Sequence, residues 1–297
     1  MTSITSTSGG STTVTSGGAL WVHDGQGSGV NVILSGQAAS TASLNLQNGS
    51  VGSIAVSPPQ GSTFSPSYGA LNVTGHGAAT GGISLGGFHQ ASASLNIALS
   101  PQATFTSAAT TSVLNGSTLS ETGGVGASFA NNGSIVTSGA SKLSFMTAVS
   151  GTGAITDSAA ATGGGSKIEF GGAVAKEQSI ALNAGSLQLD QPMLFHGTVA
   201  HLNTSAAPAY GPTYGVNNGA ILLMHTHVDN VVASATELVL KQGATTVADL
   251  NFAGLAHDGS ASLFLTNQAD GSTVVSGYSL PGSVAVHMPA LPTSQAI

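Results

Sequence analysis

The sequence predicts an all-β protein: an elongated β-solenoid, or β-helix, closed by a C-terminal all-β cap. Three observations carry this expectation. Short apolar or alternating runs, each bounded by Gly, Ser, Asn or Pro, recur along the whole chain. Residues 18–46 match residues 69–97 at an offset of 51 without a gap. Only 4 Lys and 11 Asp or Glu occur among 297 residues. Stacked coils place like residues over like, where charges of one sign would repel.

Taken in order, residues 1–17 read as a polar arm with one weak strand, Thr12 to Thr15, held by a partner such as another copy of the chain. Residues 18–199 read as the strand-repeat solenoid. Its runs include Leu20-Trp21-Val22, Val30 to Leu34, Ser94 to Ile97, Lys167 to Phe170 and Leu187 to Leu189. Tight turns are expected at Asn48-Gly49, Asn115-Gly116, Asn132-Gly133, Asp258-Gly259 and Asp270-Gly271. No amphipathic helix stands out, and the best stretch, Ala173 to Gln178, is short. From residue 200 the texture changes. Pro208, Tyr210, Pro212 and Tyr214 form a denser loop, and longer strands such as Leu238-Val239-Leu240 and Leu263-Phe264-Leu265 follow. Residues 200–297 therefore read as a C-terminal β cap.

The internal repeat is the strongest signal. Gly18-Ala19-Leu20 matches Gly69-Ala70-Leu71, Val22 matches Val73, and Leu34 and Gly36 match Leu85 and Gly87. Ala42-Ser43-Leu44-Asn45 matches Ala93-Ser94-Leu95-Asn96, giving 10 identities in 29 positions. Weaker echoes fall at Leu143, Leu187 and Leu238. A unit of this length that cannot bury its own face must stack on its neighbours. For a strand-only repeat the expectation is a solenoid with two coils per repeat. A β-sandwich or jelly roll is the alternative for the same strand spacing.

Composition excludes several classes. Four scattered Lys and no Arg cannot neutralise a nucleic-acid backbone, so no nucleic-acid partner is expected. Without Cys there is neither a disulfide framework nor a thiolate metal site. A mean hydropathy of +0.28 with a net charge of only −7 argues against disorder. No run approaches the 18 or so apolar residues of a membrane span. The N-terminus shows no basic region followed by an apolar stretch, so no N-terminal signal peptide is recognisable.

The stretch Gly185 to Pro192, continued by Phe195-His196-Gly197-Thr198-Val199, resembles a recurring element of Gly/Ser-rich surface proteins of Gram-negative bacteria, adhesins and autotransporter-passenger-like proteins. Thr236 to Phe252 and Ser262 to Val275 continue in that style. The resemblance spans about the last 130 residues. It implies a terminal solenoid rung followed by a short all-β segment, in an exported, surface-associated or matrix protein.

Candidate chemistry is sparse. Gly82-Ile83-Ser84-Leu85-Gly86 fits the nucleophile-elbow pattern, which requires a strand, a sharp turn and a helix, but another strand follows it. His225, His227 and Asp229 alternate, so on a strand they would share one face as an open metal site of the His/His/carboxylate type. Leu222, Met224, Thr226 and Val228 would then face the core. The competing expectation, which we adopt, is that the three polar residues are a solvated strand face. Glu121, Asp157, Glu169, Glu177 and Asp190 are isolated in sequence and read as scattered surface carboxylates. Gly163-Gly164-Gly165-Ser166-Lys167 runs into a strand and so is no phosphate loop, and the Gly-rich turns lack the Asp of calcium-binding repeats. Sequons at Asn48, Asn72, Asn115, Asn132 and Asn203 are chance products of composition.

The expected function is structural and non-catalytic, with no enzyme activity, catalytic residue, metal or cofactor: self-assembly with other copies into an extracellular or cell-surface filament, layer or biofilm-matrix fibre. The alternative is a carbohydrate-binding adhesin or a polysaccharide depolymerase on the same scaffold. Trp21, Tyr68, Tyr210 or Tyr214 would then stack on sugar rings, and catalysis would need two carboxylates within roughly 10 Å.

Overall fold

The computed structural model describes residues 2–4, 9–24, 27, 29–58, 66–86, 92–158, 165–183, 185–202, 219–253, 262–277 and 279–287. These residues form a β-solenoid with a cross-section of up to three faces. Strands β1 (Thr2–Ile4), β3 (Ala19–His23), β5 (Ala42–Val51), β7 (Ser67–Ala79) and β9 (Ala93–Leu99) follow one another on the first face. They alternate in the chain with β2 (Gly10–Thr15), β4 (Val30–Ser35), β6 (Ile54–Val56) and β8 (Ile83–Leu85), which stack in a second sheet. β5 and β7 bend to cover an intermediate face as well. Beyond them that face has its own strands, β10 (Thr104–Ser107) preceding β11 (Thr111–Val113) in one coil, and β13 (Ser128–Asn131) between β12 (Thr118–Gly123) and β14 (Ser134–Thr137) in the next. The following coil carries β15 (Lys142–Phe145), β16 (Ala148–Ser150) and β17 (Ala154–Asp157). The last regular coils are β18 (Lys167–Phe170) with β19 (Ser179–Leu182), and β20 (Ser186–Leu189) with β21 (Thr198–Leu202). Every pairing among these strands is parallel, as a coiled chain requires.

Alternation explains why the coils form. In Ser128-Phe129-Ala130-Asn131 and in Lys167-Ile168-Glu169-Phe170 every second side chain is buried. On the first face Leu95, Leu119, Leu143, Ile168, Leu187 and Ile221 lie one over another, all fully buried. Burying a side chain of this size contributes about 1.5–3 kcal/mol, and each coil repeats it. Phenylalanines fill the wider part of the interior. Phe105, Phe129, Phe145, Phe170 and Phe195 form a continuous stack with successive ring centroids 4.8–6.2 Å apart. Polar residues are also built inside. Asn131 donates to Gln178 Oε1 at 2.9 Å, and Gln178 donates back to the Asn131 and Ser150 carbonyls.

The 51-residue repeat is two coils. Leu20 stacks against Leu44 and Leu44 against Leu71, and Leu34 reaches Leu85 through Val56. The gapless match drifts on the first face, however. Leu71 pairs with Ile97, so Leu44 is two coils from Ile97 and not from Leu95. A slip of two residues keeps every side chain on its face, which is why it leaves no mark in the pattern. Leu143 and Leu187 belong to the buried column, whereas Leu238 lies in an antiparallel strand of the cap. Asn115 and Gly116 both take positive φ, 56° and 71°, and make a corner between coils. Asn48, φ 51°, sits inside β5 where the register shifts. Among the described residues the one helical turn is a 3-10 turn at Pro192–Leu194.

At the C-terminal end both sheets change from parallel to antiparallel. β22 (Ala220–Leu223) still lies parallel on β20, so coil stacking continues past residue 200. Next come β23 (Asn230–Ala233), β24 (Glu237–Gln242), β25 (Thr245–Phe252), β26 (Ser262–Asn267), β27 (Thr273–Ser276) and β28 (Val284–His287). The first sheet ends in the order β22-β27-β26-β28, the second in the order β21-β25-β24-β23. At the other end residues 1–17 contribute β1 and β2. The stretch Thr12 to Thr15 lies in β2, which pairs with β4 over its whole length from Gly10↔Val30 to Thr15↔Ser35. Met1, the loop with Pro208, Tyr210, Pro212 and Tyr214, Asn203 and the Asp258-Gly259 turn lie outside the described residues.

Candidate functional site

His225, His227 and Asp229 do not lie on a strand. β22 ends at Leu223, and His225 takes a positive φ of 51° in the turn that follows. The alternation of exposure survives: His225, His227 and Asp229 face out while Thr226 and Val228 are buried. Leu222 and Met224 are only half-buried. Backbone bonds fix the segment. Asn267 accepts from the Val228 N–H and donates to the Val228 carbonyl, and Thr273 Oγ1 donates to the Thr226 carbonyl at 2.6 Å. Asp229 has a structural task, since both carboxylate oxygens accept from the Gly243 N–H, at 2.8 and 2.9 Å, in the β24–β25 turn. Among the described residues no three His, Asp or Glu side chains gather as a metal centre needs.

The carboxylates are not the scattered surface set the sequence suggests. Glu121 and Asp157 are fully buried. Glu121 points into the core on the same column as Ile97 and Phe145, and its oxygens accept from the Thr147 N–H at 3.1 Å and the Thr147 hydroxyl at 3.0 Å. Burial pushes the Glu121 carboxyl above its usual range, against the opposing pull of those bonds. Asp157 accepts from the Thr137 hydroxyl and the Ser166 N–H at a corner.

Glu169 and Asp190 are brought together on the outer face. Gln188 Nε2 donates to both, at 3.1 and 2.7 Å. Glu169 also lies 3.4 Å from Lys142 Nζ and 3.8 Å from Lys167 Nζ, two ammonium groups stacked on consecutive strands. Asp190 borders a shallow open cleft of about 460 Å³ whose other walls include Met193, Leu194, Met224, His225 and Val247. Sharing one amide donor puts the two carboxylates inside the roughly 10 Å that catalysis by a carboxylate pair would need. Glu169, though, is engaged by two lysines and a glutamine. Lys176 lies 3.8 Å from Glu177 in a corner.

Ser84 is in mid-strand, exposed, between Ala55 and Ser112 in a parallel ladder. A nucleophile elbow needs its serine in a sharp turn, whereas Ser84 lies within the strand. Trp21 lies on the outer side of β3, its ring stacked on His23 with centroids 5.9 Å apart and planes 9° apart. The neighbouring strands carry Asn45, Gln47 and Asn72: Asn72 donates to Asn45 at 2.8 Å, and His23 bonds Gln47 at 3.0 Å. Among the described residues the buried Trp21 Nε1–H has no partner. Tyr68 is half-buried on β7, on a row that does not include Trp21.

The two ends of the stack are the largest unsatisfied features. In the second sheet β2 and β23 are terminal strands, and in the first β1 and β28 are. Among the described residues nothing pairs with their outward edges. Val232 on β23 is 53% exposed and Val284 on β28 is 66% exposed. Such edges carry rows of free N–H and C=O groups ready to pair with another chain. The sequence shows β2 as a weak strand but carries no signal for the two C-terminal edges, which depend on how the cap strands are ordered. Among the described residues no helix is long and apolar enough to cross a membrane.

Comparison with protein-family models and with curated proteins finds no match to this chain.

Proposed function

We propose that this protein is a non-catalytic structural protein that associates end to end with its own copies into an extracellular filament, layer or matrix fibre. The observation that carries this reading is the strand at each end of both sheets that no other described strand pairs on its outward edge. A contact between unlike ends is heterologous, and when it does not close it yields an open filament. The composition supports it, since Asp24 is the one charged residue before Glu121, so the coils nearest β2 can approach another copy without desolvating charge. The resemblance to Gly/Ser-rich surface proteins supports an extracellular setting. Negative-stain electron microscopy of the purified chain over a concentration series tests the reading. Filaments or sheets that lengthen with concentration are expected. Dispersed monomers at the highest concentration would refute it.

Trp21 favours a second reading, binding of a neutral polysaccharide. Aromatic faces stack on sugar rings while amides such as Asn45, Gln47 and Asn72 bond hydroxyls. Affinity electrophoresis in gels containing neutral glycans tests it: retardation lost in Trp21→Ala supports binding, and equal mobility of both proteins in every gel counts against it.

A further inference from the structure

We infer that the joint between copies is made by β2 of one copy adding, parallel and in phase, to β23 of the next. This rests on the end-to-end reading above and specifies which edges meet.

Polarity selects this pair. β25 runs parallel to β21, β24 antiparallel to β25, and β23 antiparallel to β24. β23 therefore points the same way as the coil strands, and so does β2 through its parallel pairing with β4. A next copy stacked in the same orientation continues the sheet as one more parallel rung. The other two edges do not match in this way. β28 is antiparallel to β26, β26 to β27 and β27 to β22, so β28 runs against the coil direction while β1 runs with it.

Burial sets the phase. β23 turns Val231 and Ala233 onto the core, yet both are only partly buried, and among the described residues no strand lies beyond them. Val232 faces out. β2 turns Val14 inward, leaves Thr12 half-buried, and exposes Thr13 and Thr15. Placing Thr12 on Val231 and Val14 on Ala233 completes the burial at both ends and keeps Thr13 and Val232 together outside. A slip of one residue would set the inward Val231 and Ala233 against the outward side chains of β2. Neither edge is defended. Gly10-Ser11-Thr12-Thr13-Val14-Thr15 and Asn230-Val231-Val232-Ala233 contain no Lys, no other charge and no Pro, the residues that block edge pairing.

The chain has no cysteine, which makes the joint directly addressable. Thr13→Cys and Val232→Cys are prepared as separate variants and mixed under mild air oxidation, with light scattering recorded on the same samples. Adjacent strands lie about 4.8 Å apart, within the Cα spacing that a disulfide spans. A cross-linked dimer formed only in the mixture, and a ladder of multimers in the doubly substituted chain, are expected. Scattering that shows polymer while Thr13→Cys alone cross-links would mean head-to-head contact and overturn the joint. Polymer with no cross-link in any sample would place the contact elsewhere and overturn it too. In both cases end-to-end or other assembly would stand. Neither polymer nor cross-link would overturn the joint and the assembly reading together.

Discussion

Phe145 and Phe170 face each other on adjacent coils, with ring centroids 5.7 Å apart and planes only 17° apart. They occupy the middle of the phenylalanine stack, and Phe145 also lies 4.8 Å from Phe129. Phe145→Ala is expected to destabilise the fold by about 3–5 kcal/mol, since the surrounding coils cannot collapse into the space. Denaturant unfolding followed by far-UV circular dichroism measures this. A loss below about 1 kcal/mol would show that the stack is not tightly packed.

Glu121 gives the solenoid a pH response of defined sign. Its folded-state carboxyl titrates above the unfolded value of 4.5, so the folded state holds the proton more tightly. The associated stability is fully present below pH 4.5 and is lost as pH rises through the folded value. Glu121→Gln is expected to flatten that dependence in melting curves taken across the acid range. An unchanged slope would assign the response to another group.

Asp229 holds the β24–β25 turn through the Gly243 N–H. Asp229→Ala is expected to cost about 0.5–1.5 kcal/mol through the lost bonds to the Gly243 N–H. His225→Ala combined with His227→Ala should leave melting unchanged, with and without Zn²⁺. A rise in melting temperature with Zn²⁺ that the double substitution removes would instead make this turn a metal site.

Electrostatics contributes little. Glu169 meets Lys142 and Lys167, whose side chains are 47% and 43% exposed, and exposed pairs are worth about 0–1 kcal/mol. Melting and assembly should therefore change little between low and high salt. A steep loss of polymer in salt would point to charge pairing as the force that joins copies.

The strands were legible because burial on a coil imposes a period of two, and runs such as Lys167 to Phe170 display it plainly. The paired coils were legible because Leu20, Leu44 and Leu71 fall in one column. Other features were not. The drift that sets Leu71 on Ile97 preserves the alternation, so it has no signature. The turn at His225 hides in the same way: exposure alternates as on a strand although the backbone has left it. Glu121 looks like a surface group in the sequence because a buried carboxylate needs partners, and its partner Thr147 lies a full coil away. Glu169 and Asp190 meet only through the register of β18 on β20, which places Gln188 beside Glu169. Interactions between coils depend on coil length, and loops of unequal length erase that information from the sequence.

Sedimentation velocity on the intact chain and on Thr13→Lys, each over a concentration series, puts end-to-end assembly to its sharpest test. Thr13 faces outward on the β2 edge, so a lysine there should leave the coil folded while blocking a neighbouring strand. The intact chain is expected to sediment faster as concentration rises, and the lysine variant to remain at the monomer value with an unchanged circular dichroism spectrum. Identical sedimentation of the two proteins, whether both associate or both stay monomeric, would contradict assembly through the open end of the solenoid.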